Sequence, residues 1–222
     1  MAYGLKILNS STGSVQIDDT YKNLVLASKG TVTTVNQGIY SWVYADVSYT
    51  SANNPILATS CSTLGTCIWG ISKVGNTYTW RITTAGATTV DWYIFDEPPT
   101  TPPNTGYGIK VFNSSGAVVY TNSLLNLNVA AARYSSNYTT SMPANFSGTG
   151  KYAVISGLFT GRIFAYTDFT SGTMQDLYGL DWRWVPGTGV TFGEHLIQSS
   201  NTGSYNRLMG NTSLLIADVT NY

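Results

Sequence analysis

Charge is what this chain has least of. Asp, Glu, Lys and Arg make up 10% of its 222 residues, against roughly a quarter in an average soluble protein. The 11 basic and 11 acidic residues cancel. No Lys/Arg cluster occurs, so the electrostatic footprint of a nucleic-acid binder is missing. Aromatic rings without basic neighbours can stack on bases but cannot track phosphates, and nucleic acid is excluded as a partner. Histidine occurs once and cysteine twice, too few to surround a metal ion, so neither a metal nor a cofactor is expected. No apolar run reaches the ~18–20 residues that span a bilayer as a helix, which excludes insertion by that route. The opening Met1-Ala2-Tyr3-Gly4 has no basic or apolar leader region, so the expectation is synthesis in the cytoplasm without signal-directed export. The P-loop and dinucleotide fingerprints are absent, and so is the G-x-S-x-G elbow.

What is present is Tyr (16, against 6 Trp and 7 Phe) in a background of Ser, Thr, Asn and Gly. An apolar share of 43% is ordinary, which rules out a disordered chain. Such a sequence stays in solution through hydroxyls and amides rather than charge, the habit of β-rich virion, extracellular and adhesive proteins.

One stretch occurs twice. Tyr3-Gly4-Leu5-Lys6-Ile7-Leu8-Asn9-Ser10-Ser11-Thr12-Gly13-Ser14-Val15 returns as Tyr107-Gly108-Ile109-Lys110-Val111-Phe112-Asn113-Ser114-Ser115-Gly116-Ala117-Val118, with one deletion opposite Thr12. At the same offset, Asn23-Leu24-Val25-Leu26-Ala27 faces Asn126-Leu127-Asn128-Val129-Ala130. A spacing of roughly 100 residues is too long for a solenoid repeat and suits a domain. Each copy reads as a β-hairpin. Leu5 and Ile7 alternate with Lys6 and Leu8, a polar cluster ends in Gly13, and Val15 and Ile17 resume the alternation.

Short β-branched and aromatic runs follow in both halves, among them 24–26, 31–35, 40–49, 66–71 and 77–82 in the first and 152–155, 162–166, 180–185, 189–192 and 213–219 in the second. Gly75-Asn76 between two such runs marks a hairpin. No stretch holds a 3.6-residue apolar period; the Ala130–Tyr134 run alone suggests one helical turn. Pro98-Pro99-Thr100-Thr101-Pro102-Pro103 favours a stiff polyproline II segment, just before the second copy begins. These signals predict an all-β chain of two tandem antiparallel β-sandwich domains, jelly-roll or Ig-like and related by duplication: residues 1–97, a Pro-rich linker 98–106, and residues 107–222.

Chemistry is harder to find. Candidate acids are few: Asp91, Asp96 and Glu97 in the first half, Asp176, Asp181 and Glu194 in the second, the last beside His195. A glycoside hydrolase needs two carboxylates about 5–10 Å apart. Asp181 with Glu194, near Trp182 and Trp184, is the best pair, against a plain reading as solvated strand-end acids. No catalytic residue is assigned. Trp182 and Trp184 sit at i and i+2, on one face of a strand, with Tyr178 close by; Tyr40, Trp42 and Tyr44 repeat the pattern. Such rings form sugar platforms or else the core of a sandwich. Cys61 and Cys67 are either a small-loop disulfide or two free thiols. Sequons at Asn9, Asn113, Asn137, Asn145 and Asn211 arise by chance in so Asn-rich a chain, and two of them fall in the repeated hairpin turn.

The opening Tyr3-Gly4-Leu5-Lys6-Ile7-Leu8-Asn9-Ser10-Ser11-x-Gly13-x-Val15 resembles the start of many small tailed-bacteriophage virion proteins, over about 30 residues in each half. The resemblance implies a β-rich, non-enzymatic component of a tail tip, fibre or decoration, made in the host cytoplasm and carried out in the particle. It implies other virion proteins as partners, homo-oligomerisation, and contact with host-surface glycans, for which Trp182, Trp184 and Tyr178 are the candidate platform. A free lectin-like adhesin and a glycan hydrolase are the alternatives.

Overall fold

The computed structural model describes residues 7–8, 15–17, 22–36, 43–101, 108–135, 144–157, 161–168, 172–200 and 212–222; for 7–8, 15–17, 135, 161–168, 172–179 and 194–200 it describes the backbone alone. Among these residues there are strands and turns and no helix. The first half supplies β1 (Ile7–Leu8), β2 (Val15–Ile17), β3 (Val25–Asn36), β4 (Val43–Thr50), β5 (Ile56–Ser60), β6 (Thr66–Val74), β7 (Thr77–Thr84) and β8 (Thr88–Asp96). The second supplies β9 (Lys110–Phe112), β10 (Val118–Thr121), β11 (Val129–Ser135), β12 (Phe146–Ser147), β13 (Tyr152–Ser156), β14 (Gly161–Asp168), β15 (Gly172–Val185), β16 (Gly189–Ser200) and β17 (Thr212–Asp218).

The described parts of the repeated stretch pair antiparallel in both copies, with one register. Leu8 faces Val15 and Ile7 faces Ile17 in β1–β2; the corresponding Phe112 faces Val118 and Val111 faces Tyr120 in β9–β10. Each skips one residue at the same place, a bulge. In the second turn Asn113 works as an acceptor: its Oδ1 receives the backbone N–H groups of Ser115 and Ala117 and the Ser115 hydroxyl. The left-handed conformation is taken by Gly116 (φ 79°).

The likeness runs past the hairpin. β3 meets β8 with Val25 opposite Asp96 and Leu26 opposite Phe95, then slips before Ser28 pairs with Ile94. β11 meets β17 with Val129 opposite Ala217, then slips before Ala131 pairs with Ile216. Leu26 and Val129 correspond under the hairpin's alignment, as do Ser28 and Ala131, so the bulge recurs at the equivalent residue. The Ala130–Tyr134 run is strand, not the expected helical turn. Its pairs with β17 are made at every step from Ala131 to Ser135, and tertiary pairing overrides alanine's local preference.

Thirteen of the described strands belong together, and two tandem sandwiches are not shown. They form one antiparallel 13-stranded sheet in the order β11-β17-β13-β5-β8-β3-β4-β7-β6-β15-β16-β12, with β14 on the side of β15. That order is two successive palindromes of equivalents: β3-β8-β5 answers β11-β17-β13, and β4-β7-β6 answers β12-β16-β15. Strand ladders stitch the halves at two seams, Ala58 to Ile155 and Thr59 to Val154 between β5 and β13, and Thr66 to Trp182 between β6 and β15, and an isolated bridge joins Val25 to Asn126. A half on its own would leave β5 and β6 as open edges; pairing each with its counterpart removes them. The long β3 turns the corner, pairing with β8 along its length and with β4 at Val35 and Asn36. The sheet therefore nearly closes on itself.

Its interior is a single core drawn from both halves, including Trp80, Ile82 and Ile94 from the first and Val154, Trp182 and Ile216 from the second. A second cluster lies on the outer side of the β5–β13 seam: Ala58, Tyr93 and Phe95 with Ala153, Ile155 and Ala217. Leu24 and Leu127, equivalent residues, help to cover it, and the Leu127 N–H donates to the Leu24 carbonyl at 2.8 Å. Of the expected linker, Pro98 is buried and 102–106 lies outside the described residues.

Candidate functional site

The expected aromatic platform divides. Trp182 is 2% exposed and sits in the interior core. Its indole N–H donates to the Thr59 hydroxyl at 3.0 Å, across the seam between the halves. A ring enclosed by the sheet cannot stack on a ligand from solvent, so Trp182 is corrected from platform to core. Trp184, two residues on and thus on the same face, packs against that core, half-buried, and donates to the Gly150 carbonyl at 3.0 Å. The Lys151 ammonium lies 5.7 Å from its ring centre. Tyr178 is placed by its backbone alone, opposite Arg162 and Leu196. Tyr40 and Trp42 fall outside the described residues.

The carboxylate pair also separates. Asp181 faces Gly193, whereas Glu194 faces Leu180, whose side chain is in the interior core. Adjacent register positions belong to opposite faces of a strand, so register does not bring the two acids to one face. Asp181 packs against Gly65, where any Cβ would strike its carboxylate. Among the described residues no three His, Cys, Asp or Glu groups converge to hold a metal, and no helix is long and apolar enough to cross a membrane.

Cys61 and Cys67 are free, buried thiols rather than a disulfide. Cys61 belongs to the interior core and lies 3.2 Å from the Thr63 hydroxyl. Cys67 precedes the core residue Ile68 and so faces the other side of the wall, which keeps the two sulfurs apart. Burial, with Asp181 nearby, pushes the Cys67 thiol well above its ordinary range.

Two cavities lined by described residues stand out. The larger, about 590 Å³, lies where β3 and β8 meet the segment 97–100, with Tyr49, Asn53, Asp96 and Leu124 in its wall. Asp96, 5% exposed, is already satisfied. It accepts from the Ser51 hydroxyl at 2.6 Å and from the Glu97 N–H at 2.8 Å, and also engages the Tyr49 hydroxyl. Burial and this carboxylate raise the Tyr49 pKa. Lys22 pairs with Glu97 at the rim. This network ties off the strand ends.

The smaller cavity, about 290 Å³, is open to solvent on the outer face of β6 and β7, lined by Trp69, Gly70, Ile71, Ser72, Thr79 and Arg81. The Gly75-Asn76 turn, with Gly75 at φ 58°, sets this register: Val74 faces Thr77 and Ser72 faces Thr79. The pairing then slips between Ile68 and Gly70, which makes Trp69 a bulge residue; bulges re-aim side chains. Arg81 is clamped to Asp46 by two bonds of 2.8 Å, from Nε and Nη2, and its guanidinium lies 4.0 Å from the Tyr44 ring centre. Beside it run hydroxyl pairs, Ser48–Thr79 at 2.8 Å and Thr50–Thr77 at 2.9 Å. Aromatic, guanidinium, carboxylate and hydroxyl groups therefore share one rigid outer surface. Sequence reading missed this group. The Gly75-Asn76 hairpin would have placed Ser72 across from Thr79, but nothing in the residues announced the bulge at Trp69.

No protein-family model matches the chain, and comparison with curated proteins and with solved structures finds no match.

Proposed function

We propose that the protein is a non-enzymatic structural component of a bacteriophage virion, tail-associated at a tip or fibre, that contacts host-surface glycans. The observation that carries this reading is the repeated hairpin. Of the residues that bear the likeness to tailed-phage virion proteins, Ile7, Leu8 and Val15 pair in the first half as Val111, Phe112 and Val118 do in the second, with the same register and bulge. The nearly closed sheet suits the role, because rigidity comes from strand pairing and one shared core rather than from charge. The hydroxyl-rich outer face of β4, β6 and β7 suits a surface that meets sugars. The separation of Asp181 from Glu194 by register counts against the hydrolase alternative.

The test is the assembly state of the purified chain by mass photometry, followed by electron microscopy. A ring, trimer or larger symmetric species is expected. A strict monomer that binds glycans on an array would overturn the virion reading in favour of a free lectin-like module, which the outer face of β6 and β7 equally supports.

A further inference from the structure

We infer that the cavity at Trp69, Gly70 and Arg81 is a saccharide site for a single neutral sugar unit. The inference rests on the glycan-contact part of the proposed function and names its place and ligand class. Size is the first ground. At about 290 Å³ the cavity lies at the small end of ligand sites, which run about 300–1,000 Å³, and it is open, as a site for the end of a surface polymer must be.

Chemistry is the second ground. A sugar offers apolar C–H faces and a rim of hydroxyls that both donate and accept. Trp69 supplies a ring of the kind that stacks on such a face. Arg81 supplies donors, Asp46 acceptors, and Ser72 and Thr79 both. Asp46 engages Nε and Nη2 of Arg81, which leaves Nη1 for a ligand. The clamp and the Tyr44 ring beneath it hold the guanidinium plane in place, so little side-chain entropy is lost on binding.

Charge decides the sugar class. Arg81 and Asp46 cancel, and their side chains are each 36% exposed. The site therefore offers an anion no net attraction, which favours a neutral sugar over a uronic or sialic acid.

Gly70 provides the test. A Cβ there would meet nothing within 4 Å, and its φ is not in the left-handed range, so a larger side chain enters the cavity without disturbing the fold. Gly70→Val and Trp69→Ala are compared with the unaltered chain by titration calorimetry and ligand-observed NMR. The probes are glucose, galactose, N-acetylglucosamine and glucuronate, with thermal melts run alongside. Expected is roughly millimolar to micromolar affinity for at least one neutral sugar, lost at least tenfold in Gly70→Val at unchanged melting temperature. Binding of glucuronate alone, no binding of any probe, or equal binding by Gly70→Val would each overturn the site. The virion reading fails separately, through the assembly experiment, since a monomer can still bind sugar here and a symmetric particle component can lack the site.

Discussion

Trp182→Ala separates the core from the platform. The side chain is 2% exposed, and a Trp buries about 150–250 Å². At about 25 cal/mol per Å² its transfer is worth about 4–6 kcal/mol, an upper value because the unfolded chain is already partly collapsed. Large-to-small changes at buried Trp cost about 3–5 kcal/mol once cavity relaxation is included. The truncation also strands Thr59, which is 0% exposed and loses the indole N–H. The expected loss is therefore about 4 kcal/mol, out of a total stability of about 5–15 kcal/mol for a folded domain. In a chain of this length that lowers the melting temperature by about 8–16 °C.

Two further variants divide the loss. Trp182→Phe keeps most of the apolar area and forfeits the hydrogen bond, and should cost about 1–2 kcal/mol. Adding Thr59→Val removes the stranded hydroxyl and should recover part of it, a coupling that a double-mutant cycle reads directly. Urea titration followed by tryptophan fluorescence and circular dichroism is the assay. A cost below about 1 kcal/mol for Trp182→Ala would refute the enclosed position, since only an exposed ring is removed so cheaply.

The shared core makes the halves one cooperative unit: calorimetry should show a single unfolding transition, and residues 1–97 expressed alone should fail to fold. Two separable transitions, or a stable isolated half, would contradict the stitched sheet. Both thiols should resist a water-soluble alkylating reagent in the native state and react once the chain is denatured, with no change in melting temperature on adding reductant. A native mass lower by two hydrogen atoms would reveal a disulfide instead. Stability should fall in alkali. Burial raises the Cys67 pKa, burial with Asp96 raises that of Tyr49, and burial raises that of Tyr222. Below the ordinary values of about 8.5 for Cys and 10 for Tyr both states hold these protons and stability is full. Above them the unfolded chain ionises while the folded one resists, so melting temperature should drop from about pH 9 upward; a flat profile to pH 11 would refute it.

Strand positions were legible because alternation and turn residues are local properties. The Gly75-Asn76 hairpin, the repeated opening hairpin and the strands around Ile94, Val154 and Ile216 follow from them directly. Partnership was not legible. Nothing in Pro55-Ile56-Leu57-Ala58 says that its open side meets Tyr152–Ser156 rather than water, because a half-buried edge strand and a central strand share one composition. The proline run therefore suggested a boundary between domains, while the pairing on either side of it joins them. For the same reason Trp182 and Trp184 suggested a platform: alternation tells that two rings share a face, but not which face is enclosed. Cys61 and Cys67 are close in sequence, and only their positions on opposite sides of the wall decide against a bond.

Among the described residues β14 has no counterpart in the first half, and its position lies close to the candidate site. The pairing of β6 with β15 is the equivalent of the β5–β13 seam, yet it is made at a single pair, Thr66 with Trp182. Towards its N-terminus β15 is paired instead with β14, from Gly179 back to Gly172. An antiparallel continuation of β6 would need that same edge, so β14 displaces it. Beyond Thr66, β6 keeps β7 on one side and has no strand partner on the other among the described residues. The bulge at Trp69 and the cavity at Gly70 lie just beyond this fork. In the β5–β13 seam the two counterparts pair directly; here the added strand takes the edge that a longer β6–β15 pairing would use, and the cavity at Gly70 lies beside the edge of β6 left outside that pairing.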